Sequence, residues 1–167
     1  MSSILDEIVA YKREFLADQI VQVPFEDIAE LAEASPEPPS FFEGLADGDD
    51  IAIITEVKKA SPSKGLIRAD FDPVAIAETY ELNGSSALSV LTDEKFFQGS
   101  ADYLTQISNT VKLPILRKDF TIDPYQIYEA RAIGAAAILL IVAILTPEEL
   151  RDYLVLCQQL DLDALVE

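Results

Sequence analysis

Charged side chains stand at three places where an apolar run gives way to a polar loop. Glu56 and Lys58 follow Ile51-Ala52-Ile53-Ile54-Thr55, Lys118 follows Leu113-Pro114-Ile115-Leu116, and Glu167 follows Asp163-Ala164-Leu165-Val166. Amines and carboxylates gathered in one place can pass protons. Two ammonium groups held close disfavour each other's charged form, so one lysine is expected to titrate nearer neutrality and act as a general acid. A carboxylate beside it then serves as base or anchor, and the second amine holds an anionic substrate. The plainer alternative is that these are solvated loop charges, with Glu167 also at a chain end that frays.

Residue types that are missing narrow the chemistry. The 167 residues include no histidine, which excludes Ser-His-Asp catalysis, Cys-His catalysis and His-ligated zinc. The single cysteine, Cys157, cannot form an internal disulfide or a CxxC site and is assigned to core packing. Acid–base work falls to Lys, Glu, Asp or Tyr. The segment Lys58-Lys59-Ala60-Ser61-Pro62-Ser63-Lys64-Gly65 offers hydroxyls, amines and a glycine suited to a phosphate, although Ser/Pro/Gly loops are common. Phe96 and Phe97 follow the charged turn Thr92-Asp93-Glu94-Lys95 and read either as loop packing or as a ligand wall.

These groups need a frame that brings distant segments to one rim. The apolar runs, which also include Ala87-Leu88-Ser89-Val90-Leu91 and residues 136–142, are short and nearly continuous, as strands covered on both faces are. Their period of two puts Glu56 and Lys58 on one face with Ala52 and Ile54, and Lys118 on one face with Leu116. Helices alternate with them. Asp72-Pro73, Asp123-Pro124 and Thr146-Pro147 each place a capping side chain before a first-turn proline, and Gln126 and Glu149 sit where capping boxes close. Gly84 and Gly134 supply left-handed helix stops.

Repeated βα units make an open doubly wound sheet or a closed barrel. The loop after the first strand has one glycine and three lysines rather than GxGxxG, so the expected class is α/β, a (β/α)8 TIM barrel, present as its N-terminal portion with parallel strands 1 to 5. Before it, Ile4, Ile8, Phe15 and Leu16 predict an amphipathic helix, and residues 25–34 a second. Ser35-Pro36-Glu37-Pro38-Pro39-Ser40 interrupts them. The expected division is a helical extension over residues 1–48 and a partial barrel over 49–167.

Three of these segments resemble signature blocks of the indole-3-glycerol phosphate synthase family: residues 56–65, residues 89–100 (Ser-Val-Leu-Thr-Asp-Glu-Lys-Phe-Phe-Gln-Gly-Ser) and Leu116-Arg117-Lys118-Asp119-Phe120. Residues 123–131 and the ending Leu165-Val166-Glu167 match as well. The resemblance implies a TIM barrel with a helical extension that closes the ring of 1-(2-carboxyphenylamino)-1-deoxyribulose 5-phosphate, releasing carbon dioxide and water, in tryptophan biosynthesis. It implies that Lys118 is the general acid at the carbonyl and Glu167 the proton shuttle of dehydration. Lys58 would engage substrate anionic groups and move protons, with Glu56 as its carboxylate partner. Ser61 would contact the phosphate, and Phe97 would wall the anthranilate pocket. No metal or organic cofactor is implied.

The family continues for about three more βα units. The expectation is therefore a chain weakly active or inactive alone, whose first and fifth strands are free edges that invite self-association or pairing with a C-terminal barrel fragment. A non-catalytic partial-barrel module is the alternative. Another phosphate-binding barrel, such as phosphoribosylanthranilate isomerase or a Schiff-base aldolase, is a third reading. A net charge of −18 argues against nucleic acid and anionic membranes as partners. The longest apolar run is well short of the ~20 residues of a membrane helix, and the opening residues make a poor signal peptide, so a cytoplasmic location is expected.

Overall fold

The computed structural model describes residues 3–46 and 51–167. Ser3 opens α1 (Ile4–Gln22) through a reciprocal capping box with Asp6. Pro24 precedes α2 (Phe25–Ala34), which matches the expected span. The proline-bearing residues 35–40 carry no helix or strand, and a short α3 (Phe41–Ala46) follows that the sequence reading leaves unassigned. The expected boundary between residues 48 and 49 lies outside the described residues.

Then come β1 (Ile54–Val57), a small antiparallel hairpin of β2 (Ala60–Ser61) and β3 (Gly65–Leu66), α4 (Pro73–Leu82), β4 (Ala87–Leu91), α5 (Glu94–Phe97) and α6 (Ala101–Ser108). The chain continues through β5 (Ile115–Lys118), α7 (Pro124–Ala132), β6 (Ala137–Leu140), a 3-10 turn (Val142–Ile144), α8 (Pro147–Gln159) and β7 (Asp163–Val166). Five strands form one parallel sheet in the order β1-β4-β5-β6-β7. Its edges are β1 and β7, each paired on one side among the described residues.

The caps explain where helices start. Asp72, Asp123 and Thr146 accept from backbone amides of the first turns of α4, α7 and α8, each with proline at the helix start. Glu149 completes its box with the Thr146 amide at 2.7 Å. Gln126 does not: its Oε1 accepts from the Ile122 amide and its Nε2 donates to the Phe120 carbonyl, so it braces the loop before α7 instead of the cap. Gly84 and Gly134 take φ of +84° and +89°, as left-handed stops require.

Two strands lie further along the chain than their apolar runs suggest. The first begins at Ile54 because its partner β4 begins at Ala87, which pairs with Ile54. Ile51 precedes this pairing and is 92 % exposed. The third begins at Ile115, beyond Pro114, and runs on through Arg117 to Lys118. The fourth ends at Leu140 and passes into the 3-10 turn, so residues 141 and 142 lie outside it.

The sheet has two apolar faces, as buried parallel strands must. Val57, Leu88, Val90, Ile115, Ile138 and Leu140 meet the helices through Ile76, Leu104, Ile107, Ile127 and Tyr153. Cys157 belongs to this layer, and burial pushes its thiol up to about 12, consistent with a packing role. On the other face Ala87, Leu116, Ala137 and Leu139 close around Phe41 of α3. Asp163, the first residue of β7, accepts from the Phe42 amide at 2.8 Å and holds α3 there. A third cluster, Leu16, Ile28 and Tyr125, seats α1 and α2 on α7. No described helix is long and apolar enough to cross a membrane.

Candidate active site

Parallel register builds the site. Glu56 lies opposite Ser89, Ser89 opposite Leu116, Leu116 opposite Ala137, and Ala137 opposite Asp163. Two residues further along each strand come Lys58, Leu91, Lys118, Leu139 and Leu165, and two residues beyond Leu165 comes Glu167. Alternation turns all of these to the face opposite the helices. Glu56, Lys58, Lys118 and Glu167 accordingly line one cavity of about 310 Å³, together with Leu91, Phe97, Asp119, Phe120, Leu139 and Ile141. This is the carboxyl end of the strands, where barrels carry their chemistry.

Each amine has its own carboxylate. Lys58 Nζ lies 2.5 Å from Glu56 Oε1, and the Ser89 hydroxyl donates to Glu56 Oε2 at 3.3 Å. Lys118 Nζ lies 3.7 Å from Glu167 Oε2. The arrangement is thus two ion pairs rather than two bare ammonium groups. Side-chain exposures of 33 % and 32 % for Lys58 and Glu56 leave these groups within reach of a ligand. Glu167 is not frayed: its amide donates to the Leu140 carbonyl at 3.0 Å, and its carbonyl accepts from Val142 at 2.9 Å.

Ser61 stands apart from these four. It lines an adjoining cavity of about 630 Å³ with Ser63 and Lys64, facing Ile4, Leu5 and Ile8 of α1. Lys58, Phe97 and Phe120 border both spaces and join them. The hairpin of β2 and β3 shapes this region: the Ser61 hydroxyl accepts from the Lys64 amide at 3.3 Å, and Gly65 takes a φ of +63° that favours glycine. The two adjacent phenylalanines part company. Phe96 packs edge-on against Tyr11 at 5.7 Å, while Phe97 sits 6.1 Å from Phe120 at the cavity.

Sequence reasoning missed Phe120 as a wall and the α1 side chains altogether. Phe120 follows Lys118 by two and so shares its parity, a signal present in the sequence. The α1 contribution depends on how that helix docks, which no local pattern states. Among the described residues no group of three or more Asp, Glu or Cys side chains is placed to hold a metal ion. An amine-and-carboxylate pocket with aromatic and aliphatic walls can bind a planar or phosphorylated anion and exchange protons with it.

Fold and site together define a β/α-barrel protein with a charged pocket at the carboxyl rim of its strands. A family model described as indole-3-glycerol phosphate synthase matches residues 5–167, and the chain belongs to that family. It is 47 % identical over 165 residues to an indole-3-glycerol phosphate synthase of Rhodopirellula baltica, covering 99 % of this chain and 64 % of that protein. The corresponding protein of Desulfotalea psychrophila is 52 % identical over 171 residues, covering 100 % of this chain and 64 % of its own length. That of Acidithiobacillus ferrooxidans is 50 % identical over 172 residues, covering 65 % of its length. The chain therefore spans about two thirds of the length of these curated relatives, or slightly less.

Proposed function

We propose that this chain carries the first part of an indole-3-glycerol phosphate synthase site, acting in the cytoplasm on 1-(2-carboxyphenylamino)-1-deoxyribulose 5-phosphate. The observation that supports it most is the meeting of two amine–carboxylate pairs, Lys58–Glu56 and Lys118–Glu167, with Phe97 in one cavity. The aromatic carbon bearing the carboxylate attacks the ketone, and Lys118 donates a proton to the oxygen on which charge develops. Loss of carbon dioxide returns the electron pair to the ring. The new hydroxyl then leaves as water: Glu167 moves a proton, and Lys58, oriented by Glu56, assists. Ser61 contacts the phosphate in the adjoining space, and Phe97 stacks beside the anthranilate ring. The chemistry needs no metal or organic cofactor.

Adding the substrate and following indole fluorescence tests this. Little turnover is expected from the chain alone, and turnover is expected when it is mixed with the remaining third of a matched relative. Failure of the mixture, with no substrate binding by calorimetry, would overturn the proposal.

A second reading rests on the sheet edges. β1 and β7 each lack a neighbour on one side among the described residues, and Ile54 and Val166 are 40 % and 45 % exposed there. Such edges accept further strands, so the chain self-associates or pairs with a C-terminal βα fragment. Light scattering across a concentration series, with and without that fragment, checks it; a monomer indifferent to both would count against it.

A further inference from the structure

A polar cluster beneath α1 touches two of the loops that furnish the cavity, those after β4 and β5. Lys12 shares a helical stripe with Ile8 and Leu16, at spacings of four, and is 3 % exposed. Its Nζ lies 2.8 Å from Asp93 Oδ2 and 2.8 Å from Asp119 Oδ1. Asp93 starts α5: its Oδ1 accepts from the Phe96 amide and its carbonyl from the Gly99 amide, both at 2.8 Å. Asp119 directly follows Lys118, accepts from the Phe120 amide at 2.8 Å, and takes the Thr92 hydroxyl at 2.6 Å. Arg117 backs the arrangement, donating from Nε to Thr92 Oγ1 at 3.1 Å. Burial opposes the charge on Lys12, but Asp119 and Asp93 outweigh it and hold its pKa above the ordinary lysine value.

We infer that Lys12 is a positioning residue: one buried ammonium from the helical extension locks the loop after β4 to the loop after β5, and so sets where Phe97 stands relative to Lys118. The inference rests on the cavity being the place of reaction and assigns a task to a residue outside the barrel. Stability alone does not explain a lysine here, because buried ion clusters are often replaced by apolar groups at no loss. A fixed donor with two acceptors on different loops imposes a direction and a distance that an apolar contact lacks.

Hydrogen exchange on the chain as it stands tests the lock. In Lys12→Met, exchange at the Phe96, Gly99 and Phe120 amides is expected to accelerate by about tenfold or more, while the amides of Leu88 in β4 and of Ala136 just before β6, which donate to the neighbouring strand segment, keep their protection. Lys12→Arg is expected to restore protection in both loops. If Lys12→Met does not fold, the double variant Lys12→Met/Asp93→Asn removes one uncompensated charge, and the same comparison of loop and strand amides decides. Equal acceleration everywhere, or none in the loops, would overturn the inference. Calorimetry with the substrate is run in parallel, and a roughly tenfold loss of affinity in Lys12→Met is expected. If the unaltered chain, supplemented with the remaining third of a matched relative, binds no substrate, the reaction reading fails while the exchange comparison still judges the lock.

Discussion

The cavity and the cluster under α1 are built from the same materials and work under opposite conditions. At the cavity, Lys58 and Glu56 are about one-third exposed and pair mainly with each other. Under α1, the side chains of Lys12, Asp93 and Asp119 are 4 %, 0 % and 3 % exposed, and Arg117 adds a 2.6 Å contact to Glu129. An ion pair facing water contributes little to stability and lets protons and ligands exchange. A buried pair resists any change of charge, because an orphaned charge in the interior is costly. Water access therefore separates groups free to do chemistry from groups that hold the scaffold.

The largest expected effect that sharpens this contrast is kinetic. Lys118→Met should lower turnover in the supplemented assay by about 10³-fold, with an unchanged urea midpoint; an equal loss of stability would show Lys118 to be structural. Next is Arg117→Met, which leaves Asp119 and Glu129 without their shared guanidinium and should cost about 3–5 kcal/mol in urea unfolding. A cost near zero would break the comparison. Acid comes third. Burial pushes the Asp119 carboxyl up, but Lys12 and Arg117 outweigh it and hold it below the usual carboxylate range. Its stabilisation is whole above the ordinary carboxylate pKa and is lost as pH falls through the depressed native value. Urea midpoints measured from about pH 5 to about pH 2 should therefore drop more steeply in the unaltered chain than in Asp119→Asn. The smallest effect is Glu56→Gln, a change of about 1 kcal/mol or less; a loss matching Arg117→Met would erase the distinction.

Much of the barrel was legible because its rules are local. Continuous apolar runs gave five strands, and caps at Asp72, Asp123 and Thr146 fixed three helix starts. Strand parity was enough to send Glu56, Lys58, Lys118 and Glu167 to one rim. What was not legible depends on packing between segments. Gln126 has the spacing of a capping-box residue, yet it reaches back to Phe120 and Ile122, whose loop offers it both a donor and an acceptor. By spacing alone, Lys12 is one more charge on an amphipathic helix. Its place on the stripe of Ile8 and Leu16 was the available signal, and only the docking of α1 reveals two carboxylates opposite. Strand limits shifted because a strand extends where a neighbour pairs, as Ile54 with Ala87, and not where hydrophobicity ends.

The grip of Asp163 on the Phe42 amide joins residues 121 apart in sequence. During synthesis, α3 emerges long before the carboxylate that will secure it. Phe41 must wait for Ala87, Leu116, Ala137 and Leu139, so newborn chains expose a sticky ring until β6 has been made. Closing so long a loop is also entropically slow. Seating of α3 is thus a late event in maturation, and the nascent chain should depend on chaperones most before β6 is made.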